Sequence, residues 1–424
     1  MERRNIVMVT WDSVRADHCS CYGYSKETTP FLDSMARKGL KFENAIVSGL
    51  PTPVSMCGIF TGKHCSSGKV KGKTLAQVLK RRNYSTGAFH SNPFASRFYG
   101  FDRGFDVFND YIIKESDKEY ARNSNLLRKA VTKIILKSGL NIERFRFYYN
   151  LICVLIKNRY DVGLKFSDFY SEVIDWVSKQ DTYFLWILLI DTHFPYVPES
   201  MNRIEKIKSM ITYDRLYSCG LTRRLDRKDI DKNKVKYIIK AYDQCISEAD
   251  RMTKRLWKDI GDTDPIFIVH ADHGEAFGEH GFFGHPPEHY EYLIRVPLVI
   301  YNADVREKIN MPTSLLRLPS IVCDLAKIPE KSCVLSPFRY TLPIVENKLD
   351  GGLRITVRDE EWKLITNPDR ENELYNIKHD PMELENLIDQ ELDIKRELEK
   401  HVYKHIRLRY ELSKLSDRIK RLRI

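Results

Sequence analysis

Three well-separated segments carry the residues able to do chemistry. Asp12 lies in Val9-Thr-Trp-Asp-Ser-Val-Arg-Ala-Asp17, and Thr52 lies in Gly49-Leu-Pro-Thr-Pro-Val-Ser-Met-Cys-Gly-Ile-Phe-Thr-Gly62. Asp272 and His273 lie in His270-Ala-Asp-His-Gly-Glu-Ala-Phe-Gly-Glu-His-Gly281. Two carboxylates, an imidazole and a hydroxyl oxygen form a donor set suited to a hard or borderline divalent ion. A threonine oxygen held by such an ion loses its proton more readily and becomes a nucleophile for an electrophilic phosphorus or sulfur. Taken alone, Asp-His-Gly is no more than a turn at a strand end with Asp as its cap. The weight rests on the combination.

The elements that must position these groups are short apolar runs bounded by turn residues: Ile6–Thr10, Ser85–Phe89, Tyr183–Ile190, Pro265–His270 and Val296–Tyr301. Runs this rich in Val and Ile, separated by helical patterns, predict buried parallel strands of an open α/β sheet. Ligands of such sheets sit beyond the carboxyl ends of the strands. Asp12 follows the first run, Asp191 and His193 the third, and Asp272 with His273 the fourth. Metal-competent groups therefore collect along one edge, which a protein built only for its core does not need.

The chain has 424 residues, enough for one large α/β domain and a smaller partner. Hydrophobic content of 42% and aromatic content of 11% allow a sizeable core. A formal charge of +11 suits anionic partners, and no nucleic-acid-binding signature accompanies it. The nine cysteines lack CxxC spacing, which fits reduced thiols in a cytoplasmic protein. Met1-Glu-Arg-Arg-Asn5 runs straight into the first strand without the longer apolar stretch of a signal peptide. The longest apolar runs are too short to span a bilayer.

Residues 1–310 are expected to form the metal-dependent catalytic domain, with a helical insertion over 111–180 that includes the basic, aromatic segment Arg144–Lys157. A second basic helical region covers Asn202 to Asp250. Residues 311–390 form a small α+β subdomain with strands near Arg354–Val357 and Trp362–Thr366. Residues 391–424 place Leu398, Val402, Leu408, Leu412, Leu415, Ile419 and Leu422 among many lysines and arginines, the pattern of one or two amphipathic helices. That tail packs on the domain or on a second copy of the chain.

The motifs, taken in order, resemble the sulfatase family of the alkaline-phosphatase superfamily. Asn5-Ile-Val-Met-Val-Thr-Trp-Asp-Ser-Val-Arg-Ala-Asp17 with Tyr22-Gly23 looks like the family's opening strand and first metal-binding Asp. Asp272-His-Gly-Glu-Ala-Phe-Gly-Glu-His-Gly281, followed by Tyr290-Glu-Tyr-Leu-Ile-Arg-Val-Pro-Leu298, is similar to its second metal motif. Asp191-Thr-His-Phe-Pro-Tyr196 matches the segment that supplies an active-site histidine, and Glu373-Leu-Tyr-Asn-Ile-Lys-His-Asp-Pro-Met-Glu-Leu-Glu-Asn-Leu387 the C-terminal signature. The resemblance implies an alkaline-phosphatase-like, mostly parallel sheet flanked by helices, with a small C-terminal α+β subdomain. It implies one divalent metal ion (Mg, Mn, Ca or Zn) on Asp12, Thr52, Asp272 and His273. It assigns catalytic roles to Thr52, His193 and His285, and substrate contacts to Asn92 and Arg15. Asp191 could serve a second metal, but the partner histidine expected four residues on is Pro195. His280 is expected to stabilise its loop, and His90 is left open between a site role and the core.

The departures from the pattern point to chemistry. A family sulfatase places a Cys, converted to formylglycine, ten residues before the Gly of a Thr-Gly pair. Here that position is Thr52, in Thr52-Pro-Val-Ser-Met56. The motif's Pro is Val54, its Arg is Met56, and Ser91-Asn-Pro93 replaces a Lys-x-His. His285 stands where a later lysine is expected. A formylglycine hydrate releases sulfate by collapsing to an aldehyde, whereas a threonine ester must be attacked at its central atom by water or an acceptor alcohol. Losing an arginine and lysines also lowers the positive charge available to a dianion. The expected activity is therefore hydrolysis or transfer of phosphate esters, phosphodiesters foremost, with an anionic small molecule, glycan or lipid ester as substrate. The alternatives are a sulfate-ester hydrolase and a non-catalytic binder of an anionic glycan or lipid.

Overall fold

The computed structural model describes residues 3–111, 164–220, 230–328 and 342–421. The Arg144–Lys157 segment lies outside them, so of the expected insertion only its last helix, Phe166–Val177, is described. Eight strands form the main sheet: β1 (Ile6–Trp11), β2 (Leu40–Phe42), β3 (Ser85–His90), β4 (Val107–Asn109), β5 (Tyr183–Leu189), β6 (Ile266–Ala271), β7 (Leu298–Tyr301) and β8 (Glu307–Ile309). Their spatial order is β8-β2-β7-β6-β1-β5-β3-β4. Every residue of β1, β5 and β6 is buried. Strands covered on both faces read as continuous apolar runs, which is why these three were visible in the sequence.

One expectation fails. β7 runs antiparallel to both β6 and β2, although its sequence reads like its parallel neighbours. The chain leaves the carboxyl end of β6, builds the 272–297 loop there, and re-enters the sheet from that same end. A parallel strand would need a crossover to the opposite edge.

Helix α1 (Thr52–Thr61) is wholly buried and ends on Gly62 at φ +66°, a conformation that glycine adopts without a Cβ penalty. α2 (Phe166–Val177) and α3 (Arg203–Gly220) precede the long α4 (Lys232–Ile260). Asp231 caps α4 by accepting from the Asn233 and Lys234 amides. Its buried stripe, Ile238, Ala241, Tyr242, Cys245, Ile246, Ala249 and Leu256, recurs every three or four residues.

A second, antiparallel sheet follows: β9 (Ile344–Leu349), β10 (Gly352–Arg358), β11 (Trp362–Thr366) and β12 (Glu373–Asn376). The tail forms a single helix, α5 (Leu392–Arg421), whose Leu398 and Val402 seal Ile344, Ile355, Val357, Leu364 and Leu374. The small sheet also grips the loop ahead of α1. The Glu346 amide donates to Ser48 O at 2.9 Å, and the Leu50 amide donates to Asn347 Oδ1 at 3.0 Å. Among the described residues no helix is long and apolar enough to cross a membrane. Cys19, Cys21, Cys57, Cys65 and Cys245 are free thiols, but Cys323 is in a disulfide, against the expectation of uniformly reduced cysteines.

Candidate metal centre

Sheet register brings the site together. Trp11 pairs with Ala271 on one side and Leu189 on the other, so the next residues, Asp12 and Asp272, leave adjacent strands side by side. Asp12, Asp272 and His273 are all fully buried, and one oxygen or nitrogen of each lies within 4.8 Å of the others. Thr52 opens α1 with its Oγ1 3.1 Å from His273 Nε2. The Ser55 hydroxyl, one turn on, donates to Asp272 O at 2.6 Å and ties the helix to the β6 end. Ser13 sits at φ +60°, a strained conformation for a residue with a side chain. That backbone turn sends its amide to Asp272 Oδ1 at 3.0 Å and its hydroxyl to Asp12 Oδ1 at 2.8 Å. Tyr242 of α4 fixes the turn by donating to Ser13 O at 2.8 Å.

The charge at this cluster is unbalanced. Burial, and then the neighbouring Asp272 carboxylate, push the Asp12 carboxyl up to about 8. Burial works against a charged His273, yet the Asp272 and Asp12 carboxylates raise it above the ordinary histidine range. Asp272 Oδ1 accepts two amides, from Ser13 and His273, while Oδ2 is buried and accepts no hydrogen bond among the described residues. Three histidines share one orientation. Nδ1 of His273, His193 and His285 faces Gly274 O (2.9 Å), Phe194 O (2.9 Å) and Glu275 Oε2 (3.0 Å) respectively. A carbonyl or carboxylate only accepts, so Nδ1 carries the proton in each and Nε2 is left for the site. His273 Nε2 facing the site, an unbonded Asp272 oxygen and a repelled Asp12 are the features a divalent cation satisfies. The donor set fits one.

The other expected residues are distributed more widely. His193 and His285 reach the cluster, with ring centroids 5.3 Å apart and His285 4.5 Å from His273. Burial, then the neighbouring His285, hold His193 down at about 3, so its ring is neutral. Asn92 also arrives, but its amide donates to Asp12 Oδ2, holding that carboxylate. Arg15 does not: its guanidinium grips Asp17 twice, at 2.7 and 2.8 Å, and Glu279 at 2.6 Å, so it braces the loop and stands unavailable to a substrate. Asp191 accepts the Phe166 amide at 3.1 Å and caps α2. His90 packs in the core between Trp186 and Phe108, and His280 stacks on Tyr290 at 3.8 Å. Met56 is buried in the apolar core, and the Ser91 hydroxyl is spent on Leu164 O, so neither position brings charge to the site. A hydrogen bond with Cys65, together with burial, pushes the Cys57 thiol up.

Two residues went unnoticed in the sequence. Glu275, fully buried, accepts from His285 and from Tyr213 OH at 3.0 Å. Burial alone would raise it, but the facing His285, and then His193 and His273, hold it below the ordinary carboxylate range. Its position two residues after His273 was the available signal. Tyr213 comes from α3, distant in sequence, and had none.

A mostly parallel sheet with a buried metal-competent cluster at its carboxyl edge and a small antiparallel sheet behind it defines an alkaline-phosphatase-like hydrolase. The sulfatase family profile matches residues 4–328, and the chain belongs to that family of sulfuric and phosphoric ester hydrolases. It is 24% identical over 450 residues to an arylsulfatase of Clostridium perfringens, covering 91% of this chain and 90% of that one. Among solved structures it resembles the phosphonate monoester hydrolase of Agrobacterium radiobacter, with a TM-score of 0.68 at 17% identity and 96% of each chain covered. It also resembles a 2-O glycosaminoglycan sulfatase, with a TM-score of 0.64 at 15% identity, covering 97% of this chain and 92% of that one.

Proposed function

We propose that this enzyme cleaves anionic phosphate esters, phosphodiesters foremost, through Thr52. The observation that carries the reading is the Thr52 hydroxyl at the head of α1, 3.1 Å from His273 Nε2 and beside two buried carboxylates. Asp12, Asp272, His273 and Thr52 would hold one divalent cation, which lowers the proton affinity of the threonine oxygen and offsets charge on the ester. Thr52 Oγ, its proton released to solvent, attacks phosphorus, forming a Thr–O–P bond as the bond to the leaving oxygen breaks. Water or an acceptor alcohol then attacks the same phosphorus and releases Thr52. Neutral His193 presents Nε2 to the substrate's polar atoms. His285, braced by the Glu275 carboxylate, carries a proton to the leaving oxygen and takes one back from the incoming nucleophile.

The scarcity of cationic side chains at the site favours a monoanion. Glu275 adds a third buried carboxylate, while Met56 and Ser91 supply no compensating charge. A sulfate-ester reading has the arylsulfatase relative on its side. The ratio of kcat/KM for an aryl phosphodiester to that for the matching aryl sulfate decides between them, and a ratio well below one reverses the ranking. Thr52→Ala is expected to lower turnover by about three orders of magnitude and to abolish the trapped phosphoenzyme. Near-normal turnover in that variant, with loss in Ser55→Ala, would move the nucleophile elsewhere.

A further inference from the structure

Phe98 is 87% exposed, more than any other large apolar side chain among the described residues. It is firmly mounted. It occupies the middle of a one-turn helix, Arg97–Tyr99, closed by Gly100 at φ +81°. Arg97 anchors that turn to Asp110 at 3.0 Å and to Phe108 O at 3.1 Å. Phe94, 47% exposed, projects from the preceding turn, which is capped by the same Asn92 that holds Asp12.

A basic segment lies against this pair. The Val70 amide donates to Tyr99 O at 2.8 Å, and Arg103 donates to Val70 O at 3.2 Å. Gly68 packs so closely on Pro53, the residue after Thr52, that an added Cβ would stand 2.9 Å from the proline ring. Residues 62–73 carry Lys63, Lys69, Lys71 and Lys73 and no acid, and residues 93–104 add Arg97 and Arg103 against Asp102. Lys69, Lys71 and Arg103 are exposed. Aromatic side chains and clustered cations thus border the site on the two loops that flank Thr52 and Asn92.

We propose that this face docks on an anionic lipid bilayer, with Phe98 and Phe94 entering the interfacial layer and the lysines facing lipid phosphates. Charge complementarity carries the choice of partner. Lysines are hydrated point charges that act at a distance on a diffuse anionic surface, whereas gripping an individual anion calls for paired donors. Phenylalanine has no hydrogen-bonding group for a sugar and gains by leaving water for hydrocarbon. The inference does not depend on which ester the enzyme cleaves.

Cosedimentation of the full chain, without substrate, with phosphatidylcholine vesicles and with vesicles of phosphatidylcholine and phosphatidylglycerol in equal parts tests it. Binding is expected only to the mixed vesicles, and it should weaken as salt is raised. Phe98→Ser should lower the partition about tenfold. Lys69→Glu with Lys71→Glu should lower it at least about 25-fold, taking about fivefold per lysine lost. Turnover of a soluble aryl ester should be unchanged in both variants, which shows that they fold. Equal binding to pure phosphatidylcholine, no vesicle binding, or mixed-vesicle binding untouched by these substitutions would each overturn the proposal. Binding to heparin fragments without binding to vesicles would overturn it in favour of a glycan surface.

Discussion

The small C-terminal sheet and the carboxyl edge of the large sheet both bury charge, and they neutralise it differently. Around the small sheet cations and anions are matched. Lys363 of β11, fully buried, pairs with Glu383 and with Glu291 at 3.3 Å. Arg354 pairs with Glu288 at 3.0 Å, and Arg370 bridges Glu288 and Glu373 at 2.6 and 2.9 Å. At the carboxyl edge Asp12 and Asp272 face each other, with His273 as the nearest compensating group. Buried ions without partners are costly to folding and persist where a ligand completes them, whereas matched ones hold elements together. The contrast separates a site from a joint within one chain.

The sharpest way to break that contrast is Asp272→Asn. If the edge cluster exists to hold a cation, the variant should fold, lose stoichiometric metal and fall to background turnover. Full metal occupancy in that protein would leave the cluster without its assigned purpose. Lys363→Met should do the converse. Removing one partner of a buried pair strands Glu383 and costs about 3–5 kcal/mol of stability, while kcat per folded molecule stays unchanged. A matching loss of kcat at full folding would mean that the joint also acts on the site.

Proton linkage sharpens the same comparison. Asp12 and His273 both have folded-state affinities for protons raised above their unfolded values. At these two groups the folded, metal-free protein therefore holds protons that the unfolded chain releases, and their contribution to stability is lost as pH rises from about 4 toward 8. Cation binding needs those protons gone, so the stabilisation by metal should grow over the same interval. It should reach about 2.7 kcal/mol at a hundredfold excess over Kd. Thermal melts with and without metal across that range check it, and a metal shift independent of pH would contradict the charge balance described here.

Much of this was legible in the sequence because it is written in local patterns. β1, β3, β5 and β6 declared themselves as apolar runs, and Asp12, Asp272 and His273 followed two of them directly. What was not legible depends on distant partners. The direction of β7 is decided by where the 272–297 loop ends, not by Leu298–Tyr301 themselves. Arg15 looked like a substrate contact until Glu279 arrived from 264 residues away. Asp191 looked like a spare ligand, and the start of α2 claimed it. A lone polar residue in a motif shows its chemistry but not its partner.

Glu275 tests whether the contrast extends one residue beyond the metal cluster. It is a buried carboxylate like those of the joint, yet its partners are a histidine and a tyrosine at the site. Glu275→Gln keeps the shape: the amide oxygen can still accept from His285 Nδ1, and the amide nitrogen can donate to Tyr213, whose hydroxyl then accepts. Only the carboxylate charge beside His285 is removed. If Glu275 serves as a positioning and charge-holding residue, kcat should drop about 10- to 100-fold with poor leaving groups. It should change little with a nitrophenolate, which departs without a proton. Metal content and melting temperature should stay near those of the parent, unlike Lys363→Met. An equal loss across leaving groups would remove His285 from proton transfer and return Glu275 to the structural class it was set against.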